Sequence, residues 1–156
     1  GNDAPRRYLV VLQNPFELRP TGGFIGVVCV VRVARAQPSL EQCRPSEAFD
    51  APMQAEMPFA YTHYLRLGNW YLRDANWSPD FPTTARTLQQ FWALNKQTPV
   101  DGVIAVDPSA LEPLLRVTGP LTLADGAQVD ANNAVEALLA RYYDGATYRN
   151  KNGLAV

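Results

Sequence analysis

The chain has 156 residues, of which 47% are hydrophobic and 19% charged, enough apolar material for a core and too much for a disordered chain. Its 14 basic and 15 acidic residues leave a net charge of −1, which excludes a nucleic-acid binder that works through a basic field. The longest apolar run, residues 23–31, falls far short of the ~20 residues of a membrane-spanning helix, and no signal-peptide pattern is present. The length suits a single domain over 1–156, either cytoplasmic or a soluble piece of a longer protein.

Tyr8 to Leu12 is a short apolar run closed by Gln13-Asn14-Pro15, which predicts a buried strand followed by a loop through Gly23. Phe24 to Val33 is rich in Val and Ile and predicts a central strand. Ala34 to Pro38 reads as the turn of a hairpin that returns through Leu40, and Pro45, Pro52 and Pro58 argue against a ladder strand beyond Arg44. Cys29 and Cys43 lie symmetrically about Ala36. A hairpin closing there brings the thiols face to face, as a cross-strand disulfide or as two small buried hydrophobes. A disulfide would imply an oxidising, extracytoplasmic compartment.

Residues 51–81 are rich in Pro, Tyr and Trp without clean periodicity, a long loop of the kind that is usually functional, with a short helix expected near Tyr61 to Leu67. Thr83 to Asn95 predicts a helix with Ala85, Leu88, Phe91 and Trp92 on one face, and Asp101 to Val106 a second buried strand. Asp107-Pro108 opens a further helix stopped by Gly119, with a kink or a short helical turn at Pro113. Asp130 caps a third helix, Ala131 to Tyr143, presenting Val135, Leu138, Leu139 and Tyr142 to the core. Strands alternating with helices define an α/β class, a sheet covered by helices.

Most familiar chemistries are excluded. His63 is the only histidine, there is no Gly-x-Ser-x-Gly elbow, and two cysteines make no zinc site by themselves. Gly22-Gly23-x-x-Gly26 has neither phosphate-loop nor dinucleotide spacing and precedes a strand, so its glycines serve a backbone turn and close packing. What remains is a set of loop Arg and Asp residues. Twelve of the 14 basic residues are Arg, which reads either as background composition or as a demand for planar forks that grip phosphate or carboxylate. Arg19 precedes the second strand, Arg73 and Asp74 sit among Trp70, Tyr71, Trp77 and Phe81, and Asp80 follows. Arg86, Arg141 and Arg149 lie further along. An Arg73–Asp74 pair in apolar surroundings either pins the loop or holds a charged ligand, with Asp74 or Asp80 able to take a hard cation through oxygen.

Three blocks carry a resemblance. Leu18-Arg19-Pro20-Thr21-Gly22-Gly23-Phe24-Ile25-Gly26, Leu72 to Pro82, and Val100 to Pro108 with Thr118-Gly119-Pro120 resemble the signature blocks of a bacterial family of unknown function, numbered 4012. More distantly, the chain is similar to the LytR-CpsA-Psr envelope proteins. That resemblance implies a three-layer α/β/α fold with a central mixed sheet, in a membrane-anchored, extracytoplasmic chain of which this is a soluble part. It also implies transfer of glycan polymers from a polyprenyl-pyrophosphate carrier, with Arg on the pyrophosphate and Asp on a magnesium ion. Carried over block by block, it makes Arg19, Arg73 and, on a looser match, Arg149 the phosphate ligands. Asp74 and Asp80 become the candidates for Mg²⁺, while Thr21 stands where the family's metal-binding Asp would be. Two functions follow: an enzyme-like domain on a lipid-linked pyrophosphate, or a non-catalytic module that binds a glycan, a lipid phosphate or a protein.

Overall fold

A computed structural model describes residues 4–53, 57–122 and 126–137. The chain forms two compact units, one through Asp107 and one from Pro108 onward. The first unit is built on a four-stranded sheet of β1 (Arg6–Arg19), β2 (Gly22–Ala34), β3 (Gln37–Pro45) and β4 (Gly102–Val106), ordered β3-β2-β1-β4. β2 is antiparallel to both β1 and β3, while β4 runs parallel to β1, so the sheet is mixed and the α/β class holds.

The first strand does not stop at Gln13-Asn14-Pro15 as the sequence suggests. It continues to Arg19, because two irregularities absorb the turn-forming residues: one between Leu12 and Gln13, the other between Asn14 and Leu18. The Asn14 side chain accepts a hydrogen bond from the Phe16 N–H at 3.1 Å, a local turn that holds Pro15-Phe16-Glu17 out of the ladder. The expected loop is therefore a tight hairpin in which Arg19 faces Gly22 across Pro20-Thr21. Pro at the first turn position and Gly after the second is the pattern such a turn favours, and Gly22 adopts φ +114°, which penalises any side chain.

The β2–β3 hairpin turns on Arg35 and Ala36, both with positive φ, the conformation whose twist matches the flanking strands. From there Val31 pairs with Leu40, but Val30 pairs with Gln42, so Glu41 is an extra residue in β3. That slip puts Cys29 opposite Cys43, and the two are disulfide-bonded. Glu41 in turn reaches both Arg7 of β1, at 2.9 Å, and Arg32 of β2, at 4.0 Å, separating two like charges that face each other across the ladder.

One face of the sheet contributes Leu9, Val11, Ile25, Val28 and Val30 to the core. Onto it pack Phe49, then Trp70, Leu72 and Ala75 from the long middle segment, and Leu88, Phe91 and Trp92 of α2 (Phe81–Leu94). The short helix before them, α1 (Phe59–His63), starts two residues earlier than expected and ends sooner. In α2 the residues buried beside the aromatic stripe are Thr84 and Thr87, whereas Ala85 is only half-buried. β4 is an edge strand rather than a buried one, with Ile104 44% exposed. It is tied to β1 at its start, where Asp101 accepts from the Arg7 N–H and donates its own N–H to the Arg7 carbonyl, both at 2.7 Å.

In the second unit a 3₁₀ turn, Pro108–Ala110, leads into α3 (Leu111–Thr118), and Pro113 sits in the helix's first turn, where its missing N–H costs nothing. Gly119 closes α3 at φ +85° with its N–H on the Leu115 carbonyl. A two-residue pair, β5 (Leu121–Thr122) and β6 (Gln128–Val129), follows. Asp130 then caps the next helical turn by accepting from the N–H groups of Asn132 and Asn133, as the sequence predicts. Leu138, Leu139, Arg141, Tyr142 and Arg149 lie outside the described residues. No helix among the described residues is long and apolar enough to cross a membrane.

Candidate functional site

The 3₁₀ segment Leu72–Trp77 carries the site. Leu72 and Ala75 are fully buried and anchor it in the core, which turns Arg73, Asp74 and Trp77 toward its half-buried side. Asn76, also fully buried, donates from Nδ2 to the Gly23 carbonyl at 2.7 Å, and the Asn76 carbonyl accepts from the Thr21 hydroxyl at 3.4 Å. These bonds clamp the segment to the β1–β2 turn. They explain the two glycines: a Cβ on Gly22 would collide with the Gln13 carboxamide, and one on Gly23 would overlap the Asn14 carbonyl.

Beside the clamp lies Asp74, half-buried on the same segment. Asp74 is displaced above the ordinary carboxylate range, first by desolvation, and is opposed by the positive charges of Arg73 and Arg19 and by a hydrogen bond from backbone. Arg73 forms its ion pair with Asp50 rather than with its neighbour Asp74, and its guanidinium stacks 4.4 Å from the Tyr71 ring centre. The ion pair expected between Arg73 and Asp74 is thus made between Arg73 and Asp50 instead. Asp50 carries no motif and was recognisable only once the chain had folded.

Arg19 is held differently. Its guanidinium lies 4.3 Å from the Trp77 ring centre and 5.4 Å from that of Phe24, and one terminal nitrogen donates to the Leu18 carbonyl. Among the described residues it has no carboxylate within ion-pair distance. A cation retained by aromatic faces and not by an acid keeps its charge available to an incoming anion.

Asp80 is an exposed N-cap. Its carboxylate accepts from the Thr83 N–H at 2.8 Å and from the Thr83 hydroxyl, and these bonds hold it below the ordinary range. Arg86 stands 4.0 Å away on the next turn. Asp74 and Asp80 are the acids on this segment, and magnesium is held by one or two carboxylates together with waters and a bound phosphate. Asp80 is committed to its helix, and no three His, Cys, Asp or Glu side chains among the described residues come together as a ligand group. Arg149, the third expected phosphate ligand, lies outside the described residues.

The molecule is thus an α/β protein with a mixed sheet, whose first hairpin and central 3₁₀ segment assemble an arginine-rich, aromatic-lined site. It belongs to the family described as protein of unknown function (DUF4012), whose model matches residues 3–143. Neither the curated proteins nor the solved structures contain a match.

Proposed function

We propose that this chain is an extracytoplasmic cell-envelope domain that binds a lipid-linked, polyprenyl-type pyrophosphate through Arg19 and Arg73. The observation that carries the reading is the Arg19 guanidinium, held by the Trp77 and Phe24 rings with no acid partner among the described residues. A half-buried guanidinium without an acid partner, with Arg73 on the neighbouring segment, suits an anionic head group better than a neutral ligand. The Cys29–Cys43 disulfide supports the compartment, because such bonds persist where the milieu is oxidising. The likeness of the first two blocks to LytR-CpsA-Psr proteins supports the lipid carrier. Membrane anchoring would then come from sequence outside these residues.

A glycan transfer step would rest on positioning and charge stabilisation by these arginines. Farnesyl pyrophosphate, a short soluble polyprenyl pyrophosphate, tests the site by calorimetric titration. Removal of one charge-assisted contact by Arg19→Ala should weaken binding about tenfold or more. Unchanged affinity in Arg19→Ala and in Arg73→Ala, or no binding to the unaltered chain, would overturn the proposal.

A further inference from the structure

Around the Gly22-Gly23 turn, four buried polar atoms have no hydrogen-bond partner among the described residues: Gln13 Nε2, Arg19 Nε, Asn76 Oδ1 and Trp77 Nε1. Only one other described side chain, Ser46, has such an atom, and it lies elsewhere in the sequence, at the end of β3. The four are grouped by contacts already described. The Gln13 carboxamide packs on Gly22, Arg19 faces Gly22 across the hairpin, Asn76 is bonded to Gly23, and the Trp77 indole covers Arg19. Gln13 is 5% exposed and Asn76 not at all. The Asn76 amide cannot simply be turned over, because its Nδ2 is committed to the Gly23 carbonyl.

The chemistry of the four atoms is specific. Gln13 Nε2, Arg19 Nε and Trp77 Nε1 are donors, and Asn76 Oδ1 is an acceptor. The three tryptophans make the contrast plain. Trp70 and Trp92 give their indole N–H to the carbonyls of Asp74 and Thr98, at 3.3 and 2.8 Å, and Trp77 alone gives its to no group among the described residues. An unpaired buried donor costs about 1–3 kcal/mol, so four such atoms in one neighbourhood call for a common partner. Three donors match the oxygens of a phosphate. The lone acceptor takes an O–H, which a sugar hydroxyl on the same molecule supplies.

We infer that Gln13, Arg19, Asn76 and Trp77 form a subsite for a glycosyl phosphate, the phosphoryl oxygens accepting from the three donors and a sugar hydroxyl donating to Asn76. Arg19 and Trp77 are both half-buried, so their stack is the solvent-facing side of the group. The inference rests on the anion-binding reading of Arg19 and extends it to the glycan side of a lipid-linked pyrophosphate.

The test follows the three indole N–H resonances of the 15N-labelled 156-residue chain by NMR. Trp77→Phe identifies the resonance of interest while leaving an aromatic face for Arg19. Glucose 1-phosphate should move the Trp77 resonance, with those of Trp70 and Trp92 nearly still, and should do so at lower concentration than inorganic phosphate or glucose. Gln13→Met, which keeps the side-chain shape and removes one donor, should weaken glucose 1-phosphate about fivefold. A Trp77 resonance that glucose 1-phosphate leaves in place, as an internal water serving the donors would produce, overturns the subsite. So does equal affinity for inorganic phosphate, or an unaffected Gln13→Met. Farnesyl pyrophosphate separates the two proposals: Arg19-dependent binding of it with a stationary Trp77 resonance under glucose 1-phosphate sinks the subsite alone. A moving resonance with no farnesyl pyrophosphate bound sinks only the lipid reading.

Discussion

The guanidinium of Arg19 rests on the indole of Trp77, 4.3 Å from its centre, although the two are 58 positions apart in the chain. This contact joins the tip of the first hairpin to the 3₁₀ segment and fixes the orientation of the arginine fork. A cation–π contact is worth about 0.5–1 kcal/mol when exposed and about 2 when desolvated, and half-burial of both partners sets this one between those limits. Lysine stacks poorly on an indole, so Arg19→Lys should destabilise the fold by about 1 kcal/mol in urea titration. In a Trp77→Leu background the same change should cost much less. Equal losses in both backgrounds would show that the stack contributes nothing.

Cys29 and Cys43 enclose a loop with a sequence separation of 14, for which chain-entropy arguments give about 3 kcal/mol of stabilisation. Reduction, or the double change Cys29→Ser with Cys43→Ser, should therefore lower the urea midpoint markedly without a change of fold. A melting temperature that does not respond to dithiothreitol would exclude that contribution. The double-serine chain should ignore dithiothreitol altogether.

This bridge also shows how far the sequence could be read. Symmetry about Ala36 pairs the two cysteines correctly, yet the hairpin turns between Arg35 and Ala36, half a residue away. The extra residue Glu41 restores the match, and a bulge leaves no signature in hydropathy. Gln13-Asn14-Pro15 misled for a related reason: those residue types favour turns, and only pairing with β2 draws them into a strand. The strongly marked features were legible, among them α2, the stop at Gly119 and the Asp130 cap. The residues that complete the site were not. Asp50, Gln13 and Asn76 have no motif, and their roles arise from long-range contacts: Asp50 with Arg73, Gln13 with Gly22, Asn76 with Gly23.

Gly23 is where the two halves of the site touch. Its carbonyl receives Asn76, and its Cα lies against the Asn14 carbonyl so closely that a methyl group has no room. Because the obstacle is backbone within a paired hairpin, relief requires separating β1 from β2. Gly23→Ala should cost about 3 kcal/mol or more by denaturant titration, at the upper end of single substitutions. Gly68→Ala, where a Cβ meets nothing within 4 Å, is the control and should stay within about 0.5 kcal/mol. Similar values for the two would mean that the close approach at Gly23 is not rigid.

Asp74 and Asp80 should give opposite responses to pH. Asp80 is held below its ordinary value of 3.8 by the Thr83 hydrogen bonds, so its ionised form stabilises the fold. That contribution is present above pH 3.8 and fades as the pH falls through the lower, folded-state value. Asp74 is raised above 3.8 by desolvation, so the folded chain prefers it protonated. Its ionisation therefore opposes folding: stability declines as the pH rises from 3.8 through the folded-state value, and the cost is complete above it. Asp74→Asn removes that cost and should make the chain more stable than the parent at pH 7, an advantage that disappears at pH 3. Asp80→Asn, a weaker cap for lack of charge, should be less stable than the parent at pH 7 and approach it at pH 3. Loss of the Asp74 charge also leaves Arg19 and Arg73 less neutralised, so Asp74→Asn should bind farnesyl pyrophosphate more tightly at pH 7. Urea titrations of the three chains at both pH values decide the matter, and an Asp74→Asn chain less stable than the parent at pH 7 would show that its carboxylate is held by the arginines more strongly than burial opposes it.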